Sequence, residues 1–163
     1  MIIVVFGLPG SGKSHFSQQL ADYINAEYIH LDQISDRMNE PDKYDEKAQQ
    51  YIYRHLIKEI TEKLIFNSNV VVDGTFHEKS MRRMIRKKAV KLGQKAVFIE
   101  MKSSEPQMKK RLKKKRDFTE SDFEVYEQIK ENFEPYEKPH LILRPDRNKV
   151  EDLLDRTKRA IYG

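Results

Sequence analysis

The chain has 163 residues, the length of one ordinary domain with room for one sizeable core. Charged residues make up 35% of it, with 31 basic against 26 acidic side chains and a net charge of +5, which suits an anionic ligand without requiring nucleic acid. The absence of cysteine excludes disulfides, thiolate nucleophiles and cysteine-ligated metals. The chain opens on "MIIVVFG", whose apolar, β-branched residues Ile2 to Phe6 predict a strand buried on both faces of a parallel sheet. That run is short, lacks a basic leader and meets Gly7 and Pro9 at once, so it reads as a strand and not a signal peptide. No apolar run reaches membrane-spanning length, so a cytoplasmic protein with no membrane partner is expected.

After a glycine-rich loop, Phe16, Leu20, Tyr23 and Ile24 recur at helical spacing. "AEYIHLD" ends a second strand, and "YDEKAQQYIYRHLIKEITEKLIF" reads as a long amphipathic helix with Tyr44, Ala48, Tyr51, Ile52, Leu56, Ile60 and Leu64 on one side. "NVVVDGT" is a third strand. Thr75 and Glu78 have capping-box spacing before a helix carrying Met81, Ile85, Ala89 and Leu92, which Gly93 closes. "KAVFIEM" is a fourth strand. Ser104 with Gln107 and Ser121 with Glu124 mark two further helix starts, the first helix running through Arg116 and the second to Phe133. "EPYEKPH" reads as a plain connection to a fifth strand, "HLILRPD", and Asn148 to Ile161 as the last helix. The alternation predicts an α/β fold, with a parallel sheet covered by helices on both faces. Residues 1–163 read as one domain, with 109–133 forming a helical lid.

Gly7, Gly12, Lys13 and Ser14 match G-x-x-x-x-G-K-[ST], between a buried strand and an amphipathic helix as the mechanism requires. In such a loop, Gly7, Leu8, Pro9, Gly10, Ser11, Gly12, Lys13, Ser14 and His15 surround a nucleotide's phosphates. Backbone N–H groups and the helix's positive end hold the oxygens, and Lys13 reaches the β- and γ-phosphates. Ser14 supplies a hydroxyl ligand for Mg²⁺. His15 stands where a second Ser or Thr would offer the α-phosphate a hydroxyl.

The strand Val70 to Asp73 ends in an aspartate but continues with Gly74 and Thr75 and not with a second acid, which disfavours a motor ATPase. No aspartate is followed by glycine three positions on, and "NKVE" at Asn148 to Glu151 lacks the aspartate of a guanine-specifying motif, which disfavours a GTPase. A small phosphotransferase is left, with a nucleotide-dependent switch module as the alternative from another class.

"GLPGSGKS", "HLDQISDR", "VVVDGTF", "RLKKKR" and "SDFEVYEQIKENFEP", in this order, resemble the small kinases of the AAA_33/zeta-toxin-like group. That group belongs to the nucleoside-monophosphate-kinase-like branch, with polynucleotide kinase, chloramphenicol phosphotransferase and gluconate kinase among its relatives. The resemblance spans nearly the whole chain. It implies a five-stranded parallel sheet in the order 2-3-1-4-5, ATP and Mg²⁺ as cofactors, and transfer of the γ-phosphoryl group to a hydroxyl of a small molecule. A 5′-hydroxyl nucleic-acid or nucleoside acceptor is the alternative.

Asp32, 19 residues after Lys13, is expected at the carboxyl edge of the sheet, where a kinase orients its acceptor hydroxyl. The resemblance gives it the role of proton acceptor; a helix N-cap is the competing reading. Arg37 is the candidate acceptor-binding arginine, set against a solvated surface role. Asp73 is expected to support Mg²⁺ or bind acceptor hydroxyls, with Thr75 beside it. In "KKRLKKKR", seven residues of eight are basic. By resemblance Arg111 and Arg116 are lid arginines that neutralise the transferring phosphoryl group, and the run with Arg82, Arg83, Arg86, Lys87, Lys88 and Lys91 is otherwise a basic face open to nucleic acid. His30 is expected to be structural, and His77 to line the acceptor pocket.

Overall fold

The computed structural model describes residues 1–38 and 45–163. Five strands form one sheet: β1 (Ile2–Phe6), β2 (Glu27–His30), β3 (Val70–Asp73), β4 (Ala96–Met101) and β5 (Leu141–Leu143). All neighbours are parallel and the order is β2-β3-β1-β4-β5, matching the expected 2-3-1-4-5. Seven helices are described: α1 (Lys13–Tyr23), α2 (Leu31–Arg37), α3 (Glu46–Phe66), α4 (Lys79–Lys91), α5 (Glu105–Lys113), α6 (Glu120–Glu131) and α7 (Val150–Tyr162). Tyr44, assigned by its spacing to the long helix, lies outside the described residues.

The side-chain alternation of the strands sorts the core into two layers. Ile2, Val4, Phe6, Ile29, Val70, Val72 and Phe98 pack against α3 and α4 through Ile52, Leu56, Ile60, Met81, Ile85 and Ala89. Ile3, Val5, Val71, Ile99 and Met101 pack against α1 and α7 through Phe16, Leu20, Leu153, Leu154 and Ile161. Every residue of β1 is fully buried, as a continuous apolar run between two helical layers requires. By the same alternation Asp73 falls on the α1 side with Val71. The register sets His30 and Val5 beside it on either hand.

Several local expectations are corrected. α4 starts at Lys79 with Glu78 as its N-cap, so Thr75 lies in the preceding loop and caps nothing. Ser104 does occupy the N-cap of α5, without a side-chain cap bond. The box before α6 is Thr119 with Asp122, two residues ahead of the Ser121–Glu124 pair. α5 ends at Lys113, which leaves Arg116 in a turn, and α6 ends at Glu131, short of Phe133. Tyr51 is half exposed and packs edge-on against His55, while Tyr23 reaches α7 to bond Asp155 at 2.6 Å. Gly93 closes α4 as expected. At φ +63° it and Gln94 return their N–H groups to Val90 and Ala89, the double bond of a Schellman stop.

Candidate active site

The carboxyl ends of β1, β2 and β3 deliver the loop 7–12, the start of α2 and the loop 74–78 to one edge of the sheet. In the phosphate loop, Gly10 and Gly12 hold φ of +79° and +90°. A side chain on Gly10 would begin 2.7 Å from the Met108 carbonyl oxygen of α5, so glycine is required there for space as well as for angle. Ser11 is fully buried and donates its N–H to the Leu8 carbonyl. Lys13 donates to the same oxygen at 2.9 Å, which folds its ammonium back over the loop. Burial pulls the Lys13 pKa down, and Asp73 and Asp32 act the other way. Ser14 and His15 are exposed on the first turn of α1, His15 accepting from the Gln19 amide at 2.7 Å.

Asp73 is fully buried and gripped from β2: His30 Nδ1 meets its Oδ1 in a short bond, and Tyr28 donates to its Oδ2 at 3.1 Å. Both partners follow from the parallel register, which sets His30 opposite Asp73 and Tyr28 two residues back on the same face. The bond to Asp73 raises the His30 pKa against the opposing effect of burial. Burial first, then the Asp73 charge and the bond to it, drive the Tyr28 phenol far above its ordinary range.

Asp32 is open to solvent at 63% exposure, in the first turn of α2. His30 is the N-cap residue of that helix, so the N-cap reading of Asp32 does not hold. The Asp32 carboxylate stands 3.9 Å from His30 Nε2. With Ser35, Gln49, Tyr53, Thr75 and His77 it lines a cleft of about 70 Å³ between α2, α3 and the loop 74–78. His77 therefore does line this cleft, and burial lowers its pKa. Phe76, between Thr75 and His77, is buried at φ +44°, a conformation that costs a non-glycine residue about 1 kcal/mol or more.

α5 closes the other side of the loop. Arg111 Nη1 donates to the Gly10 carbonyl at 3.0 Å and to Ser103 Oγ at 2.9 Å. Arg116 is exposed and forms no hydrogen bond or ion pair among the described residues. Arg37 also stays outside the cluster: it bonds Glu59 of α3 at 2.9 Å and lines a separate charged groove with His55, Lys58 and Lys63. The structure thus assembles Lys13, Ser14, Asp32, Asp73, Thr75 and Arg111 at one edge, and adds Tyr28 and His30. Neither Tyr28 nor a functional His30 follows from the sequence motifs. Their signal was positional, since both sit at alternating places in the strand that pairs with the one ending in Asp73.

Arg82 departs furthest from its expected surface place. It is buried, surrounded by the rings of Phe6, Phe133 and Tyr136 at 5.2, 5.6 and 5.4 Å. The segment "EPYEKPH" is likewise more than a connection, because Tyr136 stacks on Phe98 and His140 bonds Glu100 at 2.8 Å beneath it.

The family model AAA_33, described as an AAA domain, matches residues 2–136. The chain belongs to the AAA_33 family. A protein of Saccharolobus solfataricus, provisionally named an adenylate kinase, is 38% identical over 77 residues; the match covers 47% of this AAA_33 chain and 41% of the relative. Among solved structures, the APS kinase of Mycobacterium tuberculosis with AMPPNP and APS superposes with a TM-score of 0.79 at 16% identity, covering 99% of this chain and 97% of that one. A gluconokinase of Sinorhizobium meliloti gives 0.72 at 19% identity, with 98% and 94% covered. The AAA_33 chain therefore has a kinase-like P-loop fold.

Proposed function

We propose that the protein is an ATP- and Mg²⁺-dependent phosphotransferase that moves the γ-phosphoryl group of ATP to a hydroxyl of a small molecule. The observation that carries this reading is the placement of Asp32. It is an exposed carboxylate at the mouth of a cleft and a charge felt by Lys13, the two groups a transfer between donor and acceptor must bring together. Names of relatives support the same reading: the Saccharolobus protein is called an adenylate kinase, and the superposed structures are kinases.

The loop fits a triphosphate. The N–H groups of Gly10 and Gly12 form no hydrogen bond among the described residues and are free for phosphate oxygens. The donors available to Mg²⁺ are the Ser14 hydroxyl and, behind it, the Asp73 carboxylate, both hard oxygens. Among the described residues no group of three or more His, Cys, Asp or Glu forms a metal site by itself. That suits a cation that takes part of its shell from phosphates and water. When bound, Mg²⁺ would neutralise charge on the β- and γ-oxygens.

The chain's own residues do the rest. Lys13 leaves the Leu8 carbonyl to contact the phosphates. Asp32 accepts a hydrogen bond from the acceptor hydroxyl, aligns its oxygen with the γ-phosphorus and receives its proton as the new P–O bond forms and the bond from the γ-phosphorus to the β,γ-bridging oxygen breaks, ADP being the leaving group. Arg111, on a helical lid formed by α5 and α6, stabilises charge on the transferring group. His30 and Tyr28 fix the orientation of Asp73.

The reading is tested by ATP consumption against pooled alcohols, sugars and nucleosides, with and without Mg²⁺. Consumption that requires both an acceptor and Mg²⁺ supports it. ATP binding with no acceptor-dependent consumption in any pool contradicts it and favours a nucleotide-dependent switch.

A further inference from the structure

The loop 74–78 is fastened to the chain that follows α6 by a buried arginine. Arg82 Nη1 donates to the Phe76 carbonyl at 3.0 Å, and Nη2 to the Glu134 carbonyl at 2.6 Å. Only a planar, forked cation bridges two carbonyls on separate segments in this way; a lysine ammonium is a point donor on a flexible stem. Two more bonds follow the same seam. Glu134 donates its N–H to the His77 carbonyl at 2.9 Å, and its carboxylate accepts from the Lys79 N–H, the first of α4, at 2.6 Å. Residues 76, 77 and 79 are thereby tied to one residue 55 to 58 positions away.

Burying a guanidinium costs free energy unless donors are satisfied and the charge is compensated. Here Nε has no partner and Arg82 forms no salt bridge among the described residues, although the charges of Glu134 and Glu100 lie near enough to favour its charged form. Three aromatic faces and two carbonyls join those carboxylates in compensating the charge. Packing alone would be served by an aliphatic side chain at this place. What the arginine adds is the link between the backbone of Phe76, held at positive φ, and the segment 133–136. That segment continues directly from α6, the last helix of the lid.

We infer that Arg82 is a positioning residue that couples the lid to the acceptor loop, so that nucleotide bound under α5 and α6 sets the geometry of the cleft beside Asp32. The inference rests on the proposed kinase reading. The path is short and contiguous. α6 holds α5 through the Lys130–Glu105 bond at 2.9 Å, α5 holds the phosphate loop through Arg111, and Glu134, three residues past the end of α6, holds residues 76 to 79. A change in how α5 and α6 sit over a nucleotide reaches Thr75 and His77 without crossing the sheet.

The test is amide hydrogen exchange on the full chain, with and without AMPPNP and Mg²⁺. In the wild type, AMPPNP should slow exchange both in residues 105–131 and in 74–79. In Arg82→Lys, AMPPNP should bind within about twofold of wild type and still slow residues 105–131, while 74–79 exchanges about tenfold faster than in wild type and no longer responds. An Arg82 that served only stability would lower the melting temperature and raise exchange broadly, but the loop would still respond. That result overturns the inference, as does a wild-type loop that never responds while the lid does. Glu134→Ala, a change at an exposed side chain, is the second variant. It removes the bond to Lys79 and a nearby negative charge, keeps the backbone carbonyl that Arg82 bonds, and should weaken the loop response. A full response in Glu134→Ala together with one in Arg82→Lys contradicts the coupling. Failure of the wild type to bind AMPPNP overturns the kinase reading itself, and the inference with it.

Discussion

Gly10 and Gly12 shape the phosphate loop through backbone angles that few other residues adopt, within a stretch of consecutive residues. The acceptor side has no such local device. Asp32 is exposed beside His30, Asp73 is oriented by His30 and Tyr28 from another strand, and the loop 74–78 is held by Arg82 and Glu134. One half of the site is written in backbone conformation and the other in side chains that meet only after folding. The first tolerates almost no change at its glycines. The second should respond in steps, each variant removing one bond while the rest persist.

The comparison breaks most sharply at Gly10. Gly10→Ala adds a left-handed penalty and a contact with the Met108 carbonyl, and should weaken ATP binding about 100-fold by calorimetry while the fold survives. A loop that binds ATP normally with alanine there is not shaped by its glycines. At the lid, Arg111→Ala should lower phosphotransfer about 100-fold. Arg116→Ala, changing an exposed side chain without partners among the described residues, should stay within about twofold by the same assay. The reverse ranking would place the transition-state arginine in the turn after α5. On the acceptor side, Tyr28→Phe removes one bond to Asp73 and should cost about 1 kcal/mol, read as a roughly fivefold loss in turnover with ATP affinity unchanged.

The smallest effects concern pH and have opposite signs. His30 is raised above its ordinary value of 6.5, so its contribution to stability is complete below that pH and is lost as pH rises through its folded value. His77 is lowered from the same value by burial, so its contribution is complete above 6.5 and falls away as pH drops toward its folded value. Relative to wild type, His30→Gln should therefore destabilise more in acid than at pH 8. His77→Gln should do least harm in acid. Melting temperatures at pH 5.5 and 8 check both signs, and parallel slopes would remove the link between each shift and its neighbours.

How far these regions were legible in the sequence follows the same division. The five strands and the phosphate loop could be read because apolar runs and glycine spacing act on near neighbours. Asp32 and Asp73 could be placed because each ends or follows a strand. Helix starts were read less well: the Thr75–Glu78 and Ser121–Glu124 pairs have the right spacing, yet α4 begins at Lys79 and α6 is capped by Thr119 and Asp122. Spacing alone does not say which Ser or Thr leaves the helix. Arg82 was counted with a basic face because five more cations follow it within nine residues. Its burial depends on Phe6, Phe133 and Tyr136, which converge from three parts of the chain. Of the two readings of Arg37, the structure shows the solvated one, an exposed side chain paired with Glu59 one helix further on.

The most direct measurement is phosphotransfer from γ-labelled ATP to an acceptor pool, run beside an ATP-binding titration for wild type and Asp32→Asn. The expected result is labelled product from the wild type, a loss of about 10² to 10⁴ in rate for Asp32→Asn, and equal ATP affinity for the two. Transfer by Asp32→Asn at the wild-type rate would contradict the assignment of Asp32 as the group that receives the acceptor's proton.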